Sequence, residues 1–321
     1  MSDLLSVEGL TVRFPLGRRW GRRAWLTAVD DVSFAVPRGR TLAIVGESGS
    51  GKTTAALAIA RLVAARSGRV LLGGQDIAAL EGEALRRARR RVQVIFQDPY
   101  SALNPRLRAE AIVREPMDAL GHPERATRDA RIAELFAQVG LRPEQRRLFP
   151  HQFSGGQRQR IGIARALATS PDLVICDEAV SALDVAVQAQ ILNLLRRLQE
   201  ELSLTYLFIS HDLGVVQHVA DRVAVMYMGR IVEEAPAEAL FTRPAHPYTR
   251  ALLDAVPSVD RARRRRTRAP APGEPPDPAN LPPGCVFASR CPKARDVCRE
   301  APPPRARIEA GHLAACRFPD A

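Results

Sequence analysis

Lysine is almost missing from this chain of 321 residues: of its 47 basic side chains only Lys52 and Lys293 are lysines. Arginine carries the rest of the positive charge, so a lysine that persists marks a position suited to a compact ammonium rather than a planar guanidinium. Aromatic residues are scarce, at 5%. No run reaches the roughly 18 consecutive apolar residues that a membrane-spanning helix needs, so the chain is not expected to cross a bilayer by itself. Met1 to Leu10 has neither a basic n-region nor an apolar h-region, which leaves the cytoplasm as the expected compartment. Disulfides are then not expected. Apolar residues at 46% and charged residues at 26% are ordinary for a globular protein and argue against disorder or a fibre. The length allows two domains, or one large domain with an appendage. The net charge of +12 suits nucleic acid, an anionic membrane face or a phosphate-rich ligand, and charge alone does not choose among them.

Residues 4–36 alternate apolar and polar in short runs, the pattern of antiparallel strands, with Gly17 to Arg23 expected as a basic loop. Leu42-Ala43-Ile44-Val45 is a continuous apolar run stopped by glycine, as in a strand buried on both faces, and an Ala-rich helix is expected over Lys52 to Ala65. From Glu81 to Arg147 the pattern becomes helical and Arg-rich, broken near Asp98-Pro99 and Asn104-Pro105, which predicts a helical insertion. Buried-strand patterns return at Leu173 to Cys176 and Tyr206 to Ile209, separated by a periodic helix around Val187 to Leu202. This βαβ alternation predicts a largely parallel α/β sheet. Val223 to Val232 predicts a hairpin. Beyond Val256, the Arg run 261–268 and the Pro-rich 270–283 predict a linker.

Gly46-Glu47-Ser48-Gly49-Ser50-Gly51-Lys52-Thr53 fits G-x-x-x-x-G-K-[ST] between a predicted strand and helix. Glycines let consecutive N–H groups turn inward, and the helix amino end adds partial positive charge, so the segment is expected to cradle phosphates. Lys52 would reach the β- and γ-phosphates and Thr53 would offer its hydroxyl to Mg²⁺. Asp177 and Glu178 then close an apolar strand, Asp177 as a Mg²⁺ ligand and Glu178 as the base for the attacking water. Cys176, within that strand, is expected to be a small core residue.

These residues resemble the ATP-binding cassette (ABC) ATPases. Phe153-Ser154-Gly155-Gly156-Gln157 is similar to the family's LSGGQ signature, with Phe in the Leu position; Ser154 lies 108 residues after Gly46 and 23 before Asp177. Ser154 reads independently as a helix N-cap. The resemblance implies that Ser154, Gly155, Gly156 and Gln157 contact the γ-phosphate held by a second subunit. It implies that Gln97 approaches Mg²⁺ and the water, that Ser181, Ala182, Leu183 and Asp184 form the D-loop, and that His211 contacts the γ-phosphate. It further implies an ATP-binding set extending from the glycine loop to Thr54, with Phe14 stacking on adenine. Ala179-Val180 depart from the Pro-Thr of many cassettes; the retained acids still imply hydrolysis.

The longer segments Phe96 to Pro105, His151-Gln152-Phe153 and His246-Pro247-Tyr248-Thr249-Arg250 resemble the ATPases of oligopeptide and dipeptide importers. The resemblance implies a nucleotide-binding domain over residues 1–256, with a helical subdomain over about 98–168. It implies an N-terminal antiparallel β subdomain, a linker over 257–280 and a Cys-containing tail over 281–321. It also implies ATP and Mg²⁺, a second ATPase subunit (a heterodimer favoured over a homodimer), two transmembrane permease subunits and, indirectly, an extracytoplasmic solute-binding protein. Tyr100 to Pro105 would receive a coupling helix from the permease. The place of work is then the cytoplasmic face of the membrane, without nucleic acid. Nickel, glutathione or another small solute remain alternative cargoes, and a soluble non-transport ATPase an alternative class. Cys285, Cys291, Cys298 and Cys316 are spaced Cys-x5-Cys-x6-Cys-x17-Cys, matching neither zinc ribbons nor common ferredoxins. Similarity of the tail implies a 4Fe-4S cluster there, with zinc or free thiols as alternatives.

Overall fold

The computed structural model describes residues 2–19, 22–98, 100–121, 125–256 and 273–320. Of the segments named above, Trp20-Gly21, Pro99 and residues 257–272 of the expected linker, with its Arg run, lie outside the described residues.

A small antiparallel sheet has the strand order β2-β1-β4-β5, from β1 (Asp3–Arg19), β2 (Arg22–Pro37), β4 (Ser67–Leu72) and β5 (Gln75–Asp76). Its first hairpin is longer than expected. Gly17 pairs with Ala24 and Arg18 with Arg23, so the stretch taken for a basic loop continues the ladder. Backbone pairing of two antiparallel strands needs no apolar side chains, so a basic composition does not by itself end the ladder.

The large sheet has the order β11-β12-β10-β9-β3-β8-β7-β6. At its centre β3 (Thr41–Val45), β6 (Val92–Ile95), β7 (Leu173–Asp177), β8 (Thr205–Ser210) and β9 (Arg222–Tyr227) run parallel, Ile44 standing between Ile209 and Ala224. Every residue of β3, β7 and β8 is buried, as their unbroken apolar runs require. The predicted hairpin is present: β10 (Arg230–Pro236) turns back antiparallel on β9.

Helices cover the sheet on both faces. Between the small sheet and one face, α1 (Lys52–Ile59) packs its Ala55, Ala58 and Ile59 against Leu10, Val12, Ile44 and Ile209. On the other face lie α6 (Val185–Leu202) and the helical insertion, α3 (Ala109–Leu120), α4 (Arg125–Gln138) and α5 (Gly155–Leu167), whose Ile112, Phe136 and Ile161 join Leu195 and Phe208 in one core. Each such fully buried side chain stabilises the fold by about 1.5–3 kcal/mol. Ahead of the insertion α2 (Gly82–Arg91) leads into β6.

The tail is built into this framework. Strands β11 (Ala306–Glu309) and β12 (His312–Ala314) extend the large sheet, Glu233 of β10 lying opposite Ala314. Glu233 is wholly buried and accepts from the N–H groups of Ala245 (2.7 Å) and His246 (2.8 Å), while His312 Nε2 lies 2.7 Å from it. A buried carboxylate with this many partners is satisfied rather than costly. The expected appendage thus adds strands to the core sheet. His246 caps α7 (Pro247–Asp254), its Nδ1 accepting from Tyr248 N–H; burial drives this imidazole down to about 4, opposed by nearby Asp320, which keeps the ring neutral and able to accept.

Candidate active site

The glycine loop occupies the turn between buried β3 and α1, where there is little room. A Cβ on Gly46 would sit 2.1 Å from the carbonyl of Met226, and one on Gly51, whose φ is +99°, would sit 2.2 Å from that of Ala28. Left-handed backbone with a side chain costs about 1–3 kcal/mol before any overlap is counted. Gly51→Ala should therefore lower the free energy of unfolding, measured by denaturant titration, by at least that amount, and an unchanged unfolding free energy would show that the loop is not confined as described. No side chain caps the amino end of α1, so its first N–H groups suit an anion. Lys52, 5% exposed, donates its Nζ to Gly46 O (2.8 Å), Glu47 O (2.8 Å) and Ser50 Oγ (3.3 Å). Burial lowers its pKa, with Glu178, Asp177 and Glu47 pulling the other way. Ser48 and Gly49 are exposed at the loop's tip, and Thr54 is half-buried.

The two acids at the end of β7 face different partners. Thr53 Oγ1 donates to Asp177 Oδ1 at 3.0 Å; burial raises the pKa of Asp177 and this bond lowers it. Glu178 sits in left-handed backbone, φ 47°. Its Oε2 accepts from Gln97 Nε2 at 2.8 Å, and its Oε1 lies 3.0 Å from His211 Nδ1. Strain in a non-glycine residue is retained where the surroundings fix it, often at functional sites. Gln97, Glu178 and His211 follow β6, β7 and β8, which are adjacent in the sheet, so the carboxyl ends of three neighbouring strands deliver them to one point. The hydroxyl of Thr53 and the carboxylate of Asp177 form an all-oxygen pair suited to Mg²⁺, which when bound neutralises phosphate charge. Gln97, expected among the metal ligands, donates to Glu178 in this structure.

Ser154 caps α5, accepting from Gln157 N–H (3.4 Å), while its own N–H donates to Gln157 Oε1 (3.0 Å). Phe153 is buried beneath it. A Cβ on Gly156 would meet Val187 at 2.6 Å and one on Gly155 would approach Leu183 at 3.6 Å, so this tip lies against the expected D-loop. There Ser181 Oγ donates to Glu178 O (3.0 Å) and Asp184 caps α6. No hydrogen bond among the described residues joins Ser154 to Gln157 with the glycine loop. Phe14 is exposed on β1, on the hairpin whose Ala28 borders Gly51. The segment after Gln97 is held from α5: Arg158 stands 3.8 Å over the Tyr100 ring, and Arg165 donates to Ala102 O.

The four tail cysteines are unpaired and line one cavity with His246, Phe287 and Phe318. Burial raises the pKa of Cys285, Cys291 and Cys316, and neighbouring cysteines add to it. The cavity encloses about 20 Å³, room for about one water. Among the described residues no group of three His, Cys, Asp or Glu is arranged around a single metal position. Cys176 is a buried core thiol, as expected.

Sequence reasoning assigned no role to Tyr248 or Arg290. Tyr248 Oη accepts from the N–H of Glu47 at 2.9 Å, and Arg290 Nη1 donates to both carboxylate oxygens of Glu47 at 3.2 and 3.0 Å. The His-Pro-Tyr-Thr segment carried a family signal for the first; nothing distinguishes Arg290 from the other arginines.

A parallel sheet whose first βα turn is a glycine-rich phosphate loop, followed by Asp-Glu on a neighbouring strand, defines a P-loop nucleotide hydrolase. Residues 29–181 match the family described as ABC transporter, and residues 232–298 match the oligopeptide/dipeptide transporter C-terminal region. A probable peptide ABC transporter ATP-binding protein of Sinorhizobium fredii is 53% identical over 98% of this chain and 90% of its own. A Brucella abortus protein named for peptide import and ATP binding is 51% identical over 98% of this chain and 94% of its own. Among solved structures, the dimeric ATP-binding cassette MJ0796 bound to ADP and Pi in a post-hydrolysis state has a TM-score of 0.64 at 28% identity, covering 73% of this chain and 98% of that one. The chain belongs to the ABC transporter family and is one of its ATP-hydrolysing subunits. Among the described residues, no helix is long and apolar enough to cross a membrane.

Proposed function

We propose that this ATPase powers import of di- and oligopeptides as a peripheral subunit on the cytoplasmic side of a membrane permease, paired with a second, related cassette. The observation that carries the catalytic part is Glu178 held between Gln97 and His211 beside the Thr53–Asp177 bond. Lys52 and the loop amides bind the β- and γ-phosphates. Glu178 takes a proton from a water whose oxygen forms a bond to the γ-phosphorus, the bond from that phosphorus to the β–γ bridging oxygen breaks, and ADP carries the electron pair away. His211 and Gln97 orient the carboxylate. The capped tip at Ser154, with no bond to its own loop, is left for the partner's γ-phosphate, and the partner's tip completes this site. Phe14, exposed on the hairpin beside the loop, offers a face for adenine. The match to the peptide-transporter C-terminal region and the peptide-import names of the relatives support the cargo. Proteoliposomes holding the chain with its permease and partner ATPase should take up di- and oligopeptides in exchange for ATP. Uptake of nickel or glutathione instead would replace the cargo and leave the ATPase in place.

The same reading gives the four tail thiols a 4Fe-4S cluster. Its support is four cysteines around one cavity, a donor set suited to iron–sulfur chemistry. When bound, such a group would tie four separate positions of the tail together, Cys298 among them on the short helix Val297–Glu300. Anaerobically purified protein should be brown and contain iron and inorganic sulfide, both lost when the four cysteines are replaced by serine. Colourless protein, or protein with zinc alone, would overturn this assignment.

A further inference from the structure

The phosphate-binding loop is gripped by two segments that lie far beyond it in sequence. Glu47, the second residue of the loop, is held at its side chain by Arg290 and at its backbone N–H by Tyr248. Its carbonyl in turn accepts from Lys52 Nζ at 2.8 Å. A short path of polar contacts therefore runs from the tail guanidinium through Glu47 to the ammonium expected on the phosphates.

Arg290 is itself fixed. Its side chain is 8% exposed, whereas Glu47 is 34% exposed. Its guanidinium also donates to Tyr227 Oη at 3.3 Å and lies 5.9 and 5.8 Å from the ring centres of Tyr227 and Phe287. Tyr227, Tyr248 and Phe287 pack together with ring centres 4.5, 5.4 and 5.3 Å apart. Arg290 N–H donates to Phe287 O at 3.0 Å, which closes the turn that presents the guanidinium. An exposed ion pair contributes little and tolerates movement. Here the cation is buried, and removing it takes from the Glu47 carboxylate a guanidinium that holds both its oxygens.

We propose that Arg290 is a positioning residue for ATP hydrolysis: through Glu47 the carboxyl-terminal tail sets the conformation of the phosphate cradle. The inference rests on the reading that Gly46 to Thr53 binds the triphosphate. Because the loop binds phosphates alike in the ground and transition states, its misplacement weakens ATP binding more than it slows the bound complex.

The test uses the full chain. Affinity for ATP with Mg²⁺ is measured by calorimetry, KM and kcat by phosphate release, and the melting temperature in parallel, for Arg290→Gln, Arg290→Lys, Glu47→Gln, the Arg290→Gln/Glu47→Gln pair and Lys52→Ala. Arg290→Gln and Glu47→Gln should each raise KM and the ATP dissociation constant about tenfold, the low end of what loss of one hydrogen bond to a charged group produces, with kcat changed less. The double variant should be no worse than either single one, and Arg290→Lys should recover part of the loss. Should Arg290→Gln fail to fold, Glu47→Gln, altered on the more exposed side of the pair, carries the same expectation. Unchanged KM and ATP affinity in the folded variants, whatever their melting temperatures, would overturn the proposal. Lys52→Ala separates this outcome from failure of the underlying reading: if Lys52→Ala binds ATP like the wild type, the cradle itself is misassigned.

Discussion

Glu178→Gln should bind ATP with close to wild-type affinity and turn it over about 10²–10⁴-fold more slowly, the range that a positioned general base supplies. The substitution keeps volume, backbone and most contacts. The Glu178 N–H bond to Ile209 O is unaffected, and the left-handed backbone at φ 47° is no worse for Gln than for Glu. The side chain exchanges one acceptor oxygen for an amide donor, which Gln97 can meet by turning its own amide and His211 by changing tautomer. Basicity is lost while the constellation stays assembled. Mixed with its partner cassette, the ATP-bound protein should consequently accumulate as a closed pair, read as a shift to dimer in gel filtration with ATP that the wild type shows only transiently. Wild-type turnover in Glu178→Gln would remove this residue from its role.

The convergence on Glu178 shows what the sequence contained and what it withheld. Gln97, Glu178 and His211 were each legible as residues following an apolar strand pattern. Their meeting was not, because it depends on β6, β7 and β8 being neighbours in the sheet, which strand patterns alone do not order. The resemblance supplied their shared place around the γ-phosphate and the attacking water, not the order of the strands. The glycine loop was legible on its own, since its spacing and its strand–helix context are both local. Two features were hidden for physical reasons. The extension of the first hairpin through Arg18 and Arg23 follows from ladder pairing that composition does not report. The tail's attachment to the core depends on the buried contact between Glu233 and His312, two residues whose polarity reads as surface until the partner is known. Phe14, which strand patterning alone would bury, is exposed on the first hairpin.

Lys52→Arg should fail nearly as badly as removal of the side chain, with a loss of ATP affinity of about 10²-fold or more. The chain itself points to this: in a protein that uses arginine almost everywhere else, lysine is kept at this buried position. Three oxygens converge on one nitrogen, Gly46 O and Glu47 O at 2.8 Å and Ser50 Oγ at 3.3 Å. Three acceptors around a point match the three N–H directions of an ammonium; a planar guanidinium presents a fork of donors and cannot direct them at one centre. The larger head would also have to enter a space where the side chain is only 5% exposed and the adjoining Gly46 has no room even for a methyl group. Hydrogen bonds to a charged group are worth about 1.5–3 kcal/mol each, so losing the alignment of one or two accounts for a hundredfold weakening at 1.4 kcal/mol per factor of ten. Calorimetric titration of Lys52→Arg with ATP and Mg²⁺, with circular dichroism to verify folding, measures it. Binding within threefold of wild type would show that charge, not the shape of the ammonium, is what the loop requires of residue 52.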